Sequence, residues 1–147
     1  MEIERKYLIG QIPKELNITK TREIEQGYLC TEPVVRIRRD NDKYELTYKS
    51  KGLMVREEQN LPLTKEAYMH LRAKIDGRLI TKTRHEIPLE DALTIELDIF
   101  HGGLEPLILA EVEFPSEEKA DAFTPPEWFG EDVTFSPEYH NSTLSRK

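Results

Sequence analysis

Charged side chains recur two residues apart along much of this chain. Glu2, Glu4 and Lys6 share one parity, as do Arg36 and Arg38, then Glu45, Thr47 and Lys49, then Lys82, Arg84 and Glu86, then Glu96 and Asp98, then Glu111 and Glu113. Side chains two apart on a β-strand share a face, so each group would present a row of charge. The opposite rows are apolar: Val35 and Ile37, Tyr44, Leu46 and Tyr48, Ile95, Leu97 and Ile99, Ala110, Val112 and Phe114. Antiparallel sheets often turn a polar face to water, but like-charged neighbours on such a face repel, and mixed polar residues would serve it better. Here acids pair at 2/4, 96/98 and 111/113, and bases at 36/38 and 82/84. The segregation predicts two electrostatic compartments, built from different strands and lining an enclosed hydrated space. A wall of Arg and Lys is unstable without partners, so the expected occupant is a small polyanion. Carboxylates beside it would repel that anion unless a hard cation, Mg²⁺ or Mn²⁺, bridged the two. Bases, carboxylates and metal together are the recurrent equipment of phosphoryl transfer.

The elements that must position these groups are mostly strands. Alternating stretches predict strands over 2–9, 24–31, 34–39, 43–49, 54–62, 79–86, 93–100 and 106–114. Turn chemistry at Asp40-Asn41-Asp42, Ser50-Lys51-Gly52 and His101-Gly102-Gly103 separates several of them. Helices are few. Thr64 is placed to cap 65–75, whose stripe of Ala67, Tyr68, Leu71 and Ile75 would pack on the sheet. Ser116 caps 117–123, with acids in the first turn and Pro125-Pro126 closing it. A short helical turn is expected around 13–17. Eight short strands with few helices argue for an antiparallel barrel or sandwich rather than βαβ units. Charged rows turned inward select the barrel, since one of this size can enclose a small ligand. The expected fold is therefore mainly β within the α+β class: an eight-stranded closed antiparallel barrel with a few helices outside, formed by one domain over 1–147.

Composition narrows the function. The chain has 147 residues, 21 Lys or Arg against 28 Asp or Glu, and a formal net charge of −7. This acidic balance argues against a general nucleic-acid binder. No apolar run approaches the ~20 residues a membrane-spanning helix needs, and Met1 to Lys6 does not read as a signal peptide. One cysteine, Cys30, excludes an internal disulfide and a multi-thiolate zinc site. A cytoplasmic domain is the expectation. No Gly-rich phosphate loop or nucleophile triad is present.

Glu2-Ile3-Glu4-Arg5-Lys6 resembles the N-terminal Glu-X-Glu-X-Lys signature of the CYTH superfamily, the triphosphate tunnel metalloenzymes. The likeness continues in order through Gln26-Gly27-Tyr28-Leu29, Val35-Arg36-Ile37-Arg38, Thr47-Tyr48-Lys49-Ser50, Lys82-Thr83-Arg84, Ile95-Glu96-Leu97-Asp98 and Ala110-Glu111-Val112-Glu113-Phe114. The resemblance implies a tunnel barrel that hydrolyses inorganic triphosphate to pyrophosphate and phosphate. It implies Glu2, Glu4, Glu111 and Glu113 as metal ligands, with Glu96 and Asp98 as outer or second-metal groups. It further implies Lys6, Arg36, Arg38, Lys49, Lys82 and Arg84 as phosphate-binding cations. A base role falls to Lys82 with Lys49, whose ammonium groups would depress one another's pKa; Tyr28 is the alternative base. Arg56 and Glu58 fit the following Arg-X-Glu, but Asn60 stands where the family often carries another Glu, which alters the charge of one wall. Other readings are a class IV-type adenylate cyclase, a thiamine or nucleoside triphosphatase, or a non-catalytic polyphosphate-binding module.

The remaining chemistry-bearing residues have simpler expectations. His70, His85, His101 and His140 lack metal-ligand spacing and are expected on the surface or in loops. Trp128 and Phe129 are expected to cover the barrel exterior, and Arg5, on the apolar parity of its strand, to pair outside it.

Overall fold

The structure is a computed structural model, and it describes residues 1–146. Nine strands form one antiparallel sheet: β1 Glu2–Leu8, β2 Lys20–Thr31, β3 Val34–Asp40, β4 Lys43–Lys49, β5 Val55–Arg56, β6 Glu58–Pro62, β7 Asp76–Pro88, β8 Thr94–Phe100 and β9 Ile108–Glu113. Their spatial order is β5-β1-β9-β8-β7-β2-β3-β4-β6. The two outermost strands are consecutive in the chain, separated by Glu57 alone. β5 pairs with β1 through Glu2↔Arg56 and Ile3↔Val55, and β6 pairs with β4 from Glu58↔Lys49 to Pro62↔Glu45. The Ser50 hydroxyl accepts from the Glu57 amide at 2.9 Å, and the Ser50 amide donates to the Glu57 carbonyl at 3.1 Å. The segment 55–62 is thus one bent staple that closes the barrel, and the expected strand over 54–62 appears as two halves.

The apolar rows face outward, and short helices cover them. α2, Glu117–Ala122, is capped by the Ser116 hydroxyl and buries Ala120 among Tyr7, Phe114 and Phe129. Trp128 packs edge-on against Phe129 at 4.8 Å, so this pair covers the exterior as expected. Arg5 also lies outside, donating to the Ala120 carbonyl and pairing with Asp132. α1, Lys65–Arg72, is capped by Thr64 and lays Tyr68 against Tyr44. It ends three residues before the stripe did, because Ile75 leaves the helix and packs on β2. A Cβ at Gly27 would stand 2.8 Å from the Ile75 side chain, so glycine is what permits this approach.

Two further expectations are corrected. The stretch 13–17 forms no helix. β2 and β7 run well beyond the alternating stretches, because they pair with each other from Lys20↔Glu86 to Gln26↔Ile80 and the ladder continues past the apolar pattern. α3, Asn141–Leu144, follows a one-turn 3-10 helix, Pro137–Tyr139. Leu144 from it completes a second core with Tyr28, Val34, Phe100 and Leu109.

Candidate functional site

All the sequence candidates except Lys82 and Asp98 line a single cavity of about 210 Å³ inside the barrel. The charged rows therefore face the lumen, as expected. Their arrangement within it differs from the expected two compartments of opposite sign. Register sets some acids directly across from bases, as at Lys6↔Glu111 and Arg84↔Asp98, and others across from acids, as at Glu4↔Glu113 and Glu96↔Glu111, and the two halves of the lumen handle their charge differently.

On the side formed by β1, β9, β8 and β7 the charges neutralise one another. Arg84 stands opposite Asp98 in the β7–β8 ladder. Its guanidinium grips that carboxylate in a bidentate pair at 2.7 and 2.8 Å, and Lys82 donates to the same group at 2.7 Å. Arg84 also reaches Glu96 at 3.1 Å and Glu111 at 3.6 Å, and Lys6 meets Glu111 at 3.4 Å. Burial pushes the Asp98 carboxyl up, but Arg84 and Lys82 outweigh it and hold it below the usual range. Burial likewise opposes ionisation of Glu111, yet Lys6 and Arg84 keep it well below its ordinary value.

Lys82 sits behind the cavity lining, fully buried. Its ammonium is brought down to about 7 by burial, against the pull of Asp98, with Arg84 and Arg38 adding repulsion. Lys49 was expected to supply that repulsion. Its Nζ is instead bound to both Glu2 oxygens, at 3.0 and 2.9 Å.

At the seam of the barrel the carboxylates gather. Glu2 also receives Arg56 at 3.4 Å, and Glu4 stands opposite Glu113 across the β1–β9 ladder. Burial, then Glu111 and Glu2, push the Glu4 carboxyl up to about 8. Burial and Glu2 also raise Glu113. Carboxyls kept from ionising by one another are a donor set that a divalent cation would relieve. Among the described residues no three such groups are drawn together as an assembled ligand set; Glu2 and Glu111 are held by cations of the chain.

The wall formed by β2, β3 and β4 is the opposite case. Arg36 and Arg38 are buried, at 5% and 7% exposure. Arg36 donates to the Thr47 hydroxyl at 3.0 Å, and its one carboxylate contact is Glu45 at 3.8 Å. Arg38 donates through Nε to Gln26 Oε1 at 2.8 Å and forms no ion pair among the described residues. Burial, with Arg36 and Arg84, lowers its guanidinium to about 9. Two buried donors here, Arg36 Nε and Gln26 Nε2, have no hydrogen-bond partner. Buried polar groups are nearly always paired, so this wall is incomplete without an acceptor.

Several lumen residues lie outside the sequence candidates. Arg22 bridges Asp40, Glu86 and Glu96 at the margin of the cavity. It belongs to the part of β2 that the alternation missed. His140, Asn141 and Ser142 enter from the C-terminal segment, where no periodicity marks them. His140 was expected at the surface and is instead 7% exposed. Burial and then Lys6 depress its imidazole to about 4, so it is neutral at pH 7. Lys6 donates to the Tyr139 carbonyl at 3.3 Å and Lys82 to Asn141 at 3.4 Å, which ties this segment to the lumen. His70 and His101 are exposed as expected, and His85 is half-buried.

The barrel fold is that of a known family. A family model described as the CYTH domain matches residues 1–146, and the chain belongs to that family. It is 41% identical to an inorganic triphosphatase of Nitrosomonas europaea over 98% of this chain and 96% of the relative. It is 37% identical to an inorganic triphosphatase of Acetivibrio thermocellus over 97% of this chain and 92% of the relative. The crystal structure of an inorganic triphosphatase superposes with a TM-score of 0.74 at 37% identity, covering 100% of this chain and 95% of that one. A putative adenylyl cyclase from Hippeastrum, described as having a dominant triphosphatase activity, shares the fold with a TM-score of 0.67 at 18% identity, covering 82% of this chain and 83% of that one. At this likeness to the two bacterial relatives the protein is an enzyme, a hydrolase. No helix among the described residues is long and apolar enough to cross a membrane.

Proposed function

We propose that the protein hydrolyses inorganic triphosphate to pyrophosphate and phosphate inside the barrel, with Mg²⁺ or Mn²⁺. The observation that carries this reading is the pair of buried arginines, Arg36 and Arg38, without a close carboxylate and with an orphaned donor beside them. Unpaired buried cations are costly unless an anion meets them, and the triphosphatase names of the full-length relatives supply its chemistry.

In this reading Arg36 and Arg38 are the principal phosphate contacts, assisted by Arg84, Lys6 and Lys49 where their carboxylate partners leave donors free. Glu2, Glu4, Glu111 and Glu113 would hold the metal, which when bound neutralises phosphate charge and organises the reacting group. The raised pKa values of Glu4 and Glu113 suit that role. Lys82, at about 7, can exchange a proton near neutral pH, with Asp98 holding its Nζ. Tyr28 is a second reading for the base because it lines the cavity and Lys82 does not. The tunnel would take a small polyanion and has no feature for nucleic acid; a cytoplasmic location fits that substrate.

Phosphate release from inorganic triphosphate, pyrophosphate, ATP and thiamine triphosphate, each with Mg²⁺ and with Mn²⁺, tests the proposal. Release should be fastest from inorganic triphosphate and lost in Glu4→Gln. Slow release across the whole panel would overturn it in favour of a polyphosphate-binding module.

A further inference from the structure

The two buried arginines of the β2–β3–β4 wall are held in the same unusual way. Arg38 Nε donates to Gln26 Oε1 at 2.8 Å. Arg36 Nη2 donates to Thr47 Oγ1 at 3.0 Å, and that hydroxyl donates onward to Asn60 Oδ1 at 2.6 Å. Gln26 and Thr47 are themselves completely buried. The orientation of the Gln26 amide is dictated by its partner, since the reverse orientation would set an NH₂ group against the guanidinium N–H. Its Nε2 is then left with no acceptor among the described residues. On β7, the strand next to β2, Lys82 and Arg84 are held by Asp98, a full negative charge.

Building on the triphosphatase reading, we infer that Gln26, Thr47 and Asn60 are positioning residues that fix Arg36 and Arg38 through neutral acceptors, so that their charge stays uncompensated for the phosphates. A neutral oxygen satisfies one N–H and sets the plane of the guanidinium fork. It does not cancel the field, as a carboxylate at the same place would. Nearby phosphate oxygens would then receive the remaining donors of the wall, Arg36 Nε and the Gln26 amide among them. The alternative, that Gln26 merely fills the core, leaves the unpartnered Nε2 without a reason. Asn60 extends the pattern: a Glu at this position would bring negative charge to the Thr47–Arg36 chain.

Steady-state kinetics on inorganic triphosphate, with thermal melting, decide between these. Gln26→Glu gives Arg38 a carboxylate partner and should raise KM at least about tenfold, with kcat within about threefold of wild type and no loss of melting temperature. Thr47→Val should raise KM several-fold, and Thr47→Ser, which restores the hydroxyl, should return it. Wild-type KM in both Gln26→Glu and Thr47→Val overturns the inference. So does a parallel fall of kcat and melting temperature that Thr47→Ser fails to rescue. Should Gln26→Glu not fold, the Thr47 pair alone decides. Should the wild type hydrolyse no triphosphate, the triphosphatase reading fails separately. Calorimetric titration with metal-free triphosphate then judges the inference: about tenfold weaker binding in Thr47→Val and Gln26→Glu upholds it, and equal or absent wild-type binding overturns it.

Discussion

Two walls of one lumen carry buried arginines, and they treat them differently. On β7 and β8, Arg84 and Lys82 share Asp98, with Glu96 and Glu111 close behind. On β3, Arg38 has an amide oxygen and Arg36 a hydroxyl, with one distant carboxylate. Both sets arise from the same sequence device, two bases two residues apart on a strand. The contacts across each ladder make the difference: β8 presents Asp98 to Arg84, whereas β2 presents Gln26 to Arg38, and Glu45 of β4, opposite Arg38, comes no nearer than 3.8 Å to Arg36. A paired cation stabilises the empty protein, and an unpaired one destabilises it until an anion binds. Buried charge is therefore compensated within the protein on one wall and left largely uncompensated on the other.

The largest expected effect breaks the neutralised wall. Asp98→Ala would leave Lys82 and Arg84 buried without their carboxylate, and losing one partner of a buried pair costs about 3–5 kcal/mol. Urea denaturation should read that loss, with a fall in melting temperature of roughly 10 °C. The same operation on the other wall should do the reverse. Arg38→Gln or Arg36→Gln removes a charge that has no strong internal partner, so stability should hold or rise. KM for triphosphate should increase about 10- to 100-fold, the range for losing a hydrogen bond to a charged group. A matching loss of stability in the two arginine variants would erase the distinction between the walls.

The parity of the charged rows was legible in the sequence, because alternation on a strand requires no knowledge of its neighbours. So was a strand over 54–62, although neither its break at Glu57 nor its pairing with both β1 and β4. The pairing of the charges was hidden, since whether Arg84 meets an acid and Arg38 an amide depends on the register set by the β2–β3 and β7–β8 connections, which parity along one strand does not fix. Lys82 shares the parity of Arg84 and was correctly turned inward. Its withdrawal behind the lining follows from packing near Phe100, whose ring centroid lies 5.3 Å from Nζ. Arg22 escaped notice because β2 is extended by its ladder with β7 rather than by apolar alternation. His140 and Asn141 lie in a segment with no periodic signal, brought to the lumen by the burial of Leu144 in the second core.

A smaller effect concerns the acidic seam between the walls. Mg²⁺ or Mn²⁺ should raise the melting temperature of the wild type by several degrees, since a ligand at about 100 times its Kd adds about 2.7 kcal/mol. Differential scanning calorimetry should find the shift absent in Glu4→Gln.

The smallest effect belongs to His140. Its folded pKa, about 4, lies below the ordinary histidine value of 6.5, so the unfolded chain takes up the proton first. Stability from this residue is full above pH 6.5 and declines as pH falls from there towards 4. His140→Gln should flatten that part of the acid limb in melting temperature measured against pH, with the neutral-pH value little changed.

The difference between the walls is most directly tested by a crystal structure of the protein soaked with inorganic triphosphate in the presence of a chelator. The phosphates should lie against Arg36 and Arg38, with acceptor oxygens at Arg36 Nε and Gln26 Nε2, while Lys82 and Arg84 keep their grip on Asp98. An anion seated on Lys82 and Arg84 with the Asp98 pairs broken, or bound only outside the barrel, would contradict it.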